Sequence, residues 1–100
     1  MREYYNLRIL GHVVSVTPIY NRLHGDNTHG ESDDSDGTIR IRGDLEPSIY
    51  QATLLHEVVH LIDDFLGLGL TEAQVTGISQ GLFATIRDNG NFLTVITKEK

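Results

Sequence analysis

The sequence predicts an α+β fold in which a small antiparallel β-sheet packs against two main helices. The first half of the chain contains short segments that are rich in β-branched residues or alternate in polarity, and the second half contains two longer segments whose apolar residues recur every three or four positions. The chain has 100 residues, of which 39% are hydrophobic, and this is enough for one small core. We therefore expect a single domain that spans residues 1–100.

Three segments are predicted as strands. Residues 7–16 are aliphatic and β-branched without a helical period, and Gly11 marks a bend or bulge. Residues 38–42 alternate apolar and basic side chains, which is typical of a half-buried strand, and residues 92–97 are predicted as a last strand. The polar segment 21–37 contains glycines and an acidic run, so we expect it to be an exposed, mobile loop or an irregular hairpin connection.

Two helices are predicted between residue 46 and residue 90. Pro47 opens the first helix, which extends to about Leu66 and ends at the glycines that follow. Thr71 and Gln74 match the capping box at the start of the second helix, which continues to about Asp88. We expect the apolar stripe of the second helix to pack against the first helix; it consists of Val75, Ile78, Leu82 and Ile86.

Charge and cysteine content narrow the possible functions. Fourteen acidic and 8 basic residues give a formal net charge of -6, which repels phosphate and anionic lipid headgroups, so we expect neither nucleic-acid nor membrane binding. The absence of cysteine excludes disulfides and thiolate metal sites, so any metal must be held by histidine and carboxylate. No apolar run approaches the roughly 18 residues that span a bilayer, and the first residues do not resemble a signal peptide, so we expect a cytoplasmic protein.

The first helix carries the motif H-E-x-x-H at residues 56–60. Side chains four residues apart on a helix lie about 40° apart around its axis and about 6 Å apart along it, so the imidazoles of His56 and His60 can converge on one metal ion. Glu57 projects beside His60, where it can hydrogen-bond a water on the metal without binding the metal itself. The motif therefore predicts a zinc site with Glu57 as general base.

The polar face of this helix is narrow, because apolar residues occupy about two thirds of its circumference. Such a helix must be largely buried, which places the three motif residues in a cleft or in a thin exposed seam. One alternative stays open, in which these residues merely form a solvated seam. The combination of the motif, the helix and the polar stripe favours metal binding.

A third ligand is needed because catalytic zinc sites use three protein ligands, and Glu72 is the predicted one. Glu72 opens the second helix on the side of its apolar residues, and the short connection at residues 67–70 makes the two helices neighbours. The alternative is that Glu72 only favours the helix dipole. Asp63 is the candidate for a hydrogen bond to a ligand imidazole, with solvation or an ion pair to an arginine such as Arg40 as the alternative.

The chain resembles a known family in three segments, residues 39–41, 53–63 and 67–75. They are similar to the small phage- and prophage-encoded zinc metallopeptidase-like proteins of the gluzincin type. The resemblance covers roughly residues 38–90, and it implies a minimal zincin-like core in which the active-site helix lies against a small sheet.

The resemblance also implies a division of roles within the site. Two histidines and a downstream glutamate hold the zinc in this family, which corresponds here to His56, His60 and Glu72, and Glu57 is the base. Larger gluzincins place the glutamate further from the second histidine and add a lobe that closes the substrate cleft. This chain has neither feature, and it also lacks an obvious oxyanion stabiliser.

We therefore expect a zinc-dependent metallopeptidase, encoded by a phage and acting in the host cytoplasm, with Zn²⁺ as cofactor and a protein or peptide as substrate. The substrate could pair with the predicted strand at residues 38–42. The alternative is a zinc-binding, non-catalytic module that regulates or binds another protein. His24 and His29 could supply a second metal site or an oxyanion donor, or they could be solvated loop residues.

Overall fold

The structure, a computed structural model, describes residues 2–20 and 29–98. These residues form an α+β fold, as the sequence predicts, in which a four-stranded sheet packs against the first of three helices. The elements in chain order are β1 (Tyr5–Ile9), β2 (His12–Ile19), β3 (Gly30–Asp33), β4 (Thr38–Arg42), α1 (Pro47–Leu66), α2 (Glu72–Asp88) and α3 (Phe92–Thr97).

The first predicted strand is in fact a hairpin formed by β1 and β2. Ile9 pairs with His12, and the two residues between them, Leu10 and Gly11, both have a positive φ, of 51° and 83°. Two consecutive residues with positive φ form the tight turn whose twist suits a hairpin. The prediction of one strand with a bend or bulge at Gly11 was wrong, because Gly11 instead belongs to a turn of only two residues that reverses the chain.

The sheet is mixed rather than antiparallel. Its strand order is β1-β2-β4-β3, and β2 and β4 run parallel, whereas the other two pairs are antiparallel. The long connection between β2 and β4 allows the chain to return in the same direction, and this connection contains β3. Consequently β4 is an internal strand, and β3 is an edge of the sheet.

The segment predicted as an exposed loop or an irregular hairpin connection, residues 21–37, contains this edge strand. Residues 21–28 lie outside the described residues, but Gly30–Asp33 pairs with β4. Glu31 is opposite Arg40 in the register, and their side chains lie 3.6 Å apart. A cross-strand pair of opposite charge supports this polar strand, which composition alone assigns to a loop.

The boundaries of α1 and α2 confirm the prediction. Gly67 ends α1 in the left-handed conformation, with a φ of 63°, and Thr71 and Gln74 form both hydrogen bonds of the capping box of α2. The prediction of a last strand is wrong, because residues 92–97 form the helix α3. This segment packs against α2 and lies away from both edges of the sheet, so it has no described strand to pair with. Within the described part of the chain, no helix is long and apolar enough to cross a membrane.

The main core lies between α1 and the sheet, and α2 packs on α1 beside it. The fully buried side chains of the sheet and α1 are Val14, Val16, Ile39, Ile41 and Leu61. On α2 the buried residues are Val75 and Ser79, whereas Ile78 and Leu82 are 43% and 39% exposed. The buried face of α2 is therefore rotated from the predicted stripe towards Ser79; among the described elements, α2 packs against α1 and the short α3.

Candidate metal centre

The two histidines of the motif lie side by side on α1, as their spacing predicts. Their ring centroids are 4.8 Å apart and the rings are nearly perpendicular. The side chains of His56 and His60 are 24% and 28% exposed, so each ring is mostly enclosed but still accessible. A helix that is buried on its other faces places both rings at the edge of a cleft.

Glu72 joins the two histidines at the start of α2. Its Oε1 lies 2.8 Å from His56 Nε2, and its Oε2 lies 3.0 Å from His60 Nε2, so each carboxylate oxygen faces one ring. One ligand atom from each of the three residues lies within 4.8 Å of the others. The structure therefore brings together the three side chains that the sequence predicts as ligands.

The connection between the helices determines where Glu72 lies. Asp63 is buried, and its Oδ1 accepts a hydrogen bond from the Leu70 amide at 3.1 Å. Its main-chain carbonyl also accepts from Gly67 and Leu68. The described hydrogen bond of the Asp63 side chain is therefore not the expected one to an imidazole: Asp63 holds the turn that returns the chain to α1.

The donor set fits a zinc ion. Two imidazole nitrogens and one carboxylate oxygen are ligands that Zn²⁺ commonly takes, at about 2.0–2.2 Å, which leaves a fourth position open in a catalytic site. Ligand atoms on such a tetrahedral ion are roughly 3.3 Å apart, and one ligand atom from each of the three residues lies within 4.8 Å of the others, so small side-chain shifts would bring all three onto one ion. With neutral histidines, Glu57 and Glu72 would leave a net negative charge here, which a divalent cation offsets.

Glu57 follows His56 directly on α1, and it is only 6% exposed. Burial raises the pKa of its carboxyl above the usual range, while a hydrogen bond from the Ser32 hydroxyl and the nearby His60 and His56 partly oppose this shift. A solvated seam would leave this carboxylate in water, so the burial of Glu57 argues against that alternative. A buried carboxylate with a raised pKa is a typical general base.

Two serines of the site were missed by the sequence analysis. Ser32 belongs to β3, in the segment that was predicted as a loop. Ser79 belongs to α2 and is 3% exposed, and its Oγ lies 3.4 Å from His56 Nδ1. Ser79 follows Glu72 and Val75 at helical spacing, so a wheel that included small polar residues would have placed it on the same face.

A cleft of about 970 Å³ opens in front of the three predicted ligands. β3 forms one wall of the cleft and α1 forms its floor. α2 forms the opposite wall, which Ser79, Phe83 and Arg87 line. His29 is exposed and lines the cleft beside β3. His24, the other loop histidine considered above, lies outside the described residues.

No protein-family model, curated protein or solved structure matches this chain. The function is therefore inferred from the geometry of the centre itself.

Proposed function

We propose that this protein is a zinc-dependent metallopeptidase whose ligands are His56, His60 and Glu72 and whose general base is Glu57. The observation that carries the proposal is the convergence of two imidazole nitrogens and a carboxylate within 4.8 Å, beside a buried glutamate and at the wall of an open cleft. Each ligand comes from an element whose boundaries the sequence also predicts.

The zinc would act as a Lewis acid on the scissile carbonyl and would lower the pKa of a water towards about 7. Glu57 would take a proton from the water that attacks the scissile carbonyl and would pass it to the leaving amine. Burial favours this role, because a carboxyl with a raised pKa accepts a proton more readily near neutral pH. The Ser32 hydroxyl, which donates to Glu57, holds the carboxylate in place.

Glu57 also favours a hydrolase over the other common use of this donor set. Two histidines and one carboxylate also bind iron(II) in oxygenases, where the metal needs open positions for oxygen and substrate. A buried acid directly next to the ligands serves proton transfer, which peptide hydrolysis requires at both of its steps. The geometry therefore supports hydrolysis best.

The edge strand β3 supports a peptide as substrate. The main-chain carbonyl of His29 accepts a hydrogen bond from the Arg42 amide. Because hydrogen-bonded and non-hydrogen-bonded pairs alternate along antiparallel strands, the next hydrogen-bonded pair is Glu31 with Arg40. The main-chain groups of Gly30 and Ser32 then face away from β4, along the wall of the cleft. An extended peptide can add to such an edge. The strand expected to do this, β4, is paired on both sides and is not free.

The test combines metal analysis with cleavage. We expect the purified protein to contain about one zinc per chain, and Glu57→Gln to keep the zinc and lose cleavage. New protein N-termini in bacterial cells that express the wild type, but not in cells that express Glu57→Gln, would identify substrates. The phage origin suggested by the resemblance makes the bacterial cytoplasm the place to look for them.

The same experiment separates the alternatives. Zinc in equal amounts in both forms, with no new N-termini in either sample, would replace the peptidase with a zinc-binding, non-catalytic module. A purified protein without zinc, and without zinc uptake on titration, would remove both.

A further inference from the structure

Ser79 lies on the buried face of α2, two helical turns after Glu72. Its hydroxyl donates to the main-chain carbonyl of Thr76 at 3.2 Å, and its oxygen is 3.4 Å from His56 Nδ1. At 3% exposure it is far more enclosed than either histidine. It therefore touches the ring of His56 on the side opposite to Glu72.

The number of protons on the Ser79 hydroxyl determines which group donates in the contact between Ser79 and His56. A serine hydroxyl has one proton and two lone pairs, so once the proton is given to Thr76 the oxygen can only accept from His56. The accepted proton must then be on Nδ1. With Nδ1 protonated, the Nε2 of a neutral ring has a free lone pair, and because Nε2 lies 2.8 Å from a Glu72 oxygen that also only accepts, this tautomer requires a cation between the two atoms.

We propose that Ser79 is the positioning residue of the metal centre: it accepts a hydrogen bond from Nδ1–H of His56 and thereby presents Nε2 to the metal. This inference rests on the zinc site proposed above. Metal ligation places positive charge on the ring, which strengthens donation from Nδ1, so the contact of 3.4 Å shortens when the metal binds.

The array of Ser79, His56 and Glu72 also resembles the order of a serine nucleophile, a base and an acid. Ser79 lines the cleft, but at 3% exposure its oxygen is less open to a substrate than the histidine rings are, which does not favour a nucleophile. The hydroxyl proton is also directed to Thr76 rather than to the ring. An orienting role fits both observations.

The two histidines differ in this respect. His56 has a polar neighbour at both ring nitrogens, Glu72 at Nε2 and Ser79 at Nδ1, whereas the described polar contact of the His60 ring is with Glu72 at Nε2. Removal of the Ser79 hydroxyl therefore affects one ligand and leaves the other two in place. This predicts weaker metal binding rather than its complete loss.

The test is zinc titration of the full chain by competition with a chelator. We expect Ser79→Ala to weaken zinc binding by roughly 10- to 100-fold, the usual effect of losing a hydrogen bond to a ligand histidine. Ser79→Thr should restore most of the affinity, because threonine can also bond a carbonyl one turn back in a helix. Thr85→Ala is the matched control, since Thr85 donates to the Gly81 carbonyl on the same helix away from the histidines.

A spectroscopic measurement tests the assignment of the proton. In the zinc-loaded wild type, ¹⁵N NMR of the imidazole should show zinc on Nε2 and a slowly exchanging proton on Nδ1 of His56, and Ser79→Ala should make that proton exchange faster. Zinc affinity equal to that of the wild type in Ser79→Ala, or zinc on Nδ1, would overturn the proposal. Either result leaves the peptidase proposal standing, whereas a zinc-loaded protein that cleaves nothing removes the peptidase and leaves the role of Ser79 intact.

Discussion

The Asp63 carboxylate accepts a hydrogen bond from the Leu70 amide at 3.1 Å, across the connection between α1 and α2. This connection also contains Gly67 and Gly69, which have φ values of 63° and 71°. The bond and the two left-handed glycines turn the chain within five residues and place Glu72 over the histidines. The position of Glu72, the predicted third ligand, therefore depends on a residue that has no described hydrogen bond to the candidate site.

Asp63→Ala should weaken both folding and zinc binding. The substitution leaves the Leu70 amide without its partner, which costs about 1–3 kcal/mol of unfolding free energy, and it loosens the turn that carries Glu72. Chemical denaturation and zinc titration measure the two effects. The control is Asp64→Ala. Asp64 is largely exposed, and its slight desolvation and the nearby Asp34 raise the pKa of its carboxyl, so loss of its charge should not destabilise the protein. Equal results for the two variants would contradict the role of Asp63.

Removal of the metal should lower the melting temperature. A zinc concentration about 100 times the dissociation constant stabilises the folded state by about 2.7 kcal/mol, which corresponds to a shift on the order of 10 °C in a domain of this size. We expect a chelator to abolish this shift, and Glu72→Ala to melt in the same way with and without zinc. Glu46→Ala is the control, because Glu46 is exposed at the start of α1 and makes no side-chain cap bond there. A chelator effect that survives in Glu72→Ala would assign the metal to other ligands.

Glu57→Gln should stabilise the metal-free protein while it abolishes cleavage. The pKa of Glu57 is raised in the folded state, so folding favours the protonated form. The associated stability is present below the unfolded pKa of about 4.3 and is lost as the pH rises through the folded pKa. Glutamine removes this penalty, and the gain should be about 1 kcal/mol, as for other stabilising changes at functional sites.

The pH dependence provides the check on this prediction. Melting curves in chelator at about pH 4 and about pH 7.5 should show a difference between Glu57→Gln and the wild type that grows with pH. A difference that is the same at both values would mean that the charge of Glu57 is not the cause.

Gly30→Ala should destabilise the protein and reduce cleavage. A Cβ at this position would lie 2.8 Å from Thr53 Cγ2 and 3.1 Å from the Arg40 carbonyl oxygen, so β3 would have to move away from α1. We expect a loss of about 1–3 kcal/mol, typical of overpacking, and a weaker contact between Ser32 and Glu57.

The matched control is Gly77→Ala, in the interior of α2. Nothing lies within 4 Å of a Cβ built at Gly77, and the residue is exposed. Alanine should therefore stabilise the helix by about 0.5–1 kcal/mol and leave cleavage unchanged. A gain in stability for both variants would show that β3 can shift without cost.

Features that depend on neighbouring residues could be predicted from the sequence. The ends of α1 and α2 follow from Pro47, Gly67 and the capping box of Thr71, and the shared face of His56 and His60 follows from their spacing of four residues. Glu72 was also predicted, because a connection of a few residues limits where the next helix can begin. Each of these inferences uses contacts within one or two turns of chain.

Features that join distant parts of the chain could not be predicted in this way. The parallel pairing of β2 with β4 and the edge position of β3 depend on how strands from separate segments meet. The same holds for Ser32, which reaches Glu57 from β3, and for Ser79, which reaches His56 from α2.

The sequence by itself therefore determined α1, α2 and the convergence of the three predicted ligands, since helix geometry fixes side-chain positions over short distances. Only the tertiary structure decided which groups surround those ligands and which strand borders the cleft. The physical reason is that these contacts depend on the packing of α1 between the sheet and α2, to which residues far apart in the chain contribute together.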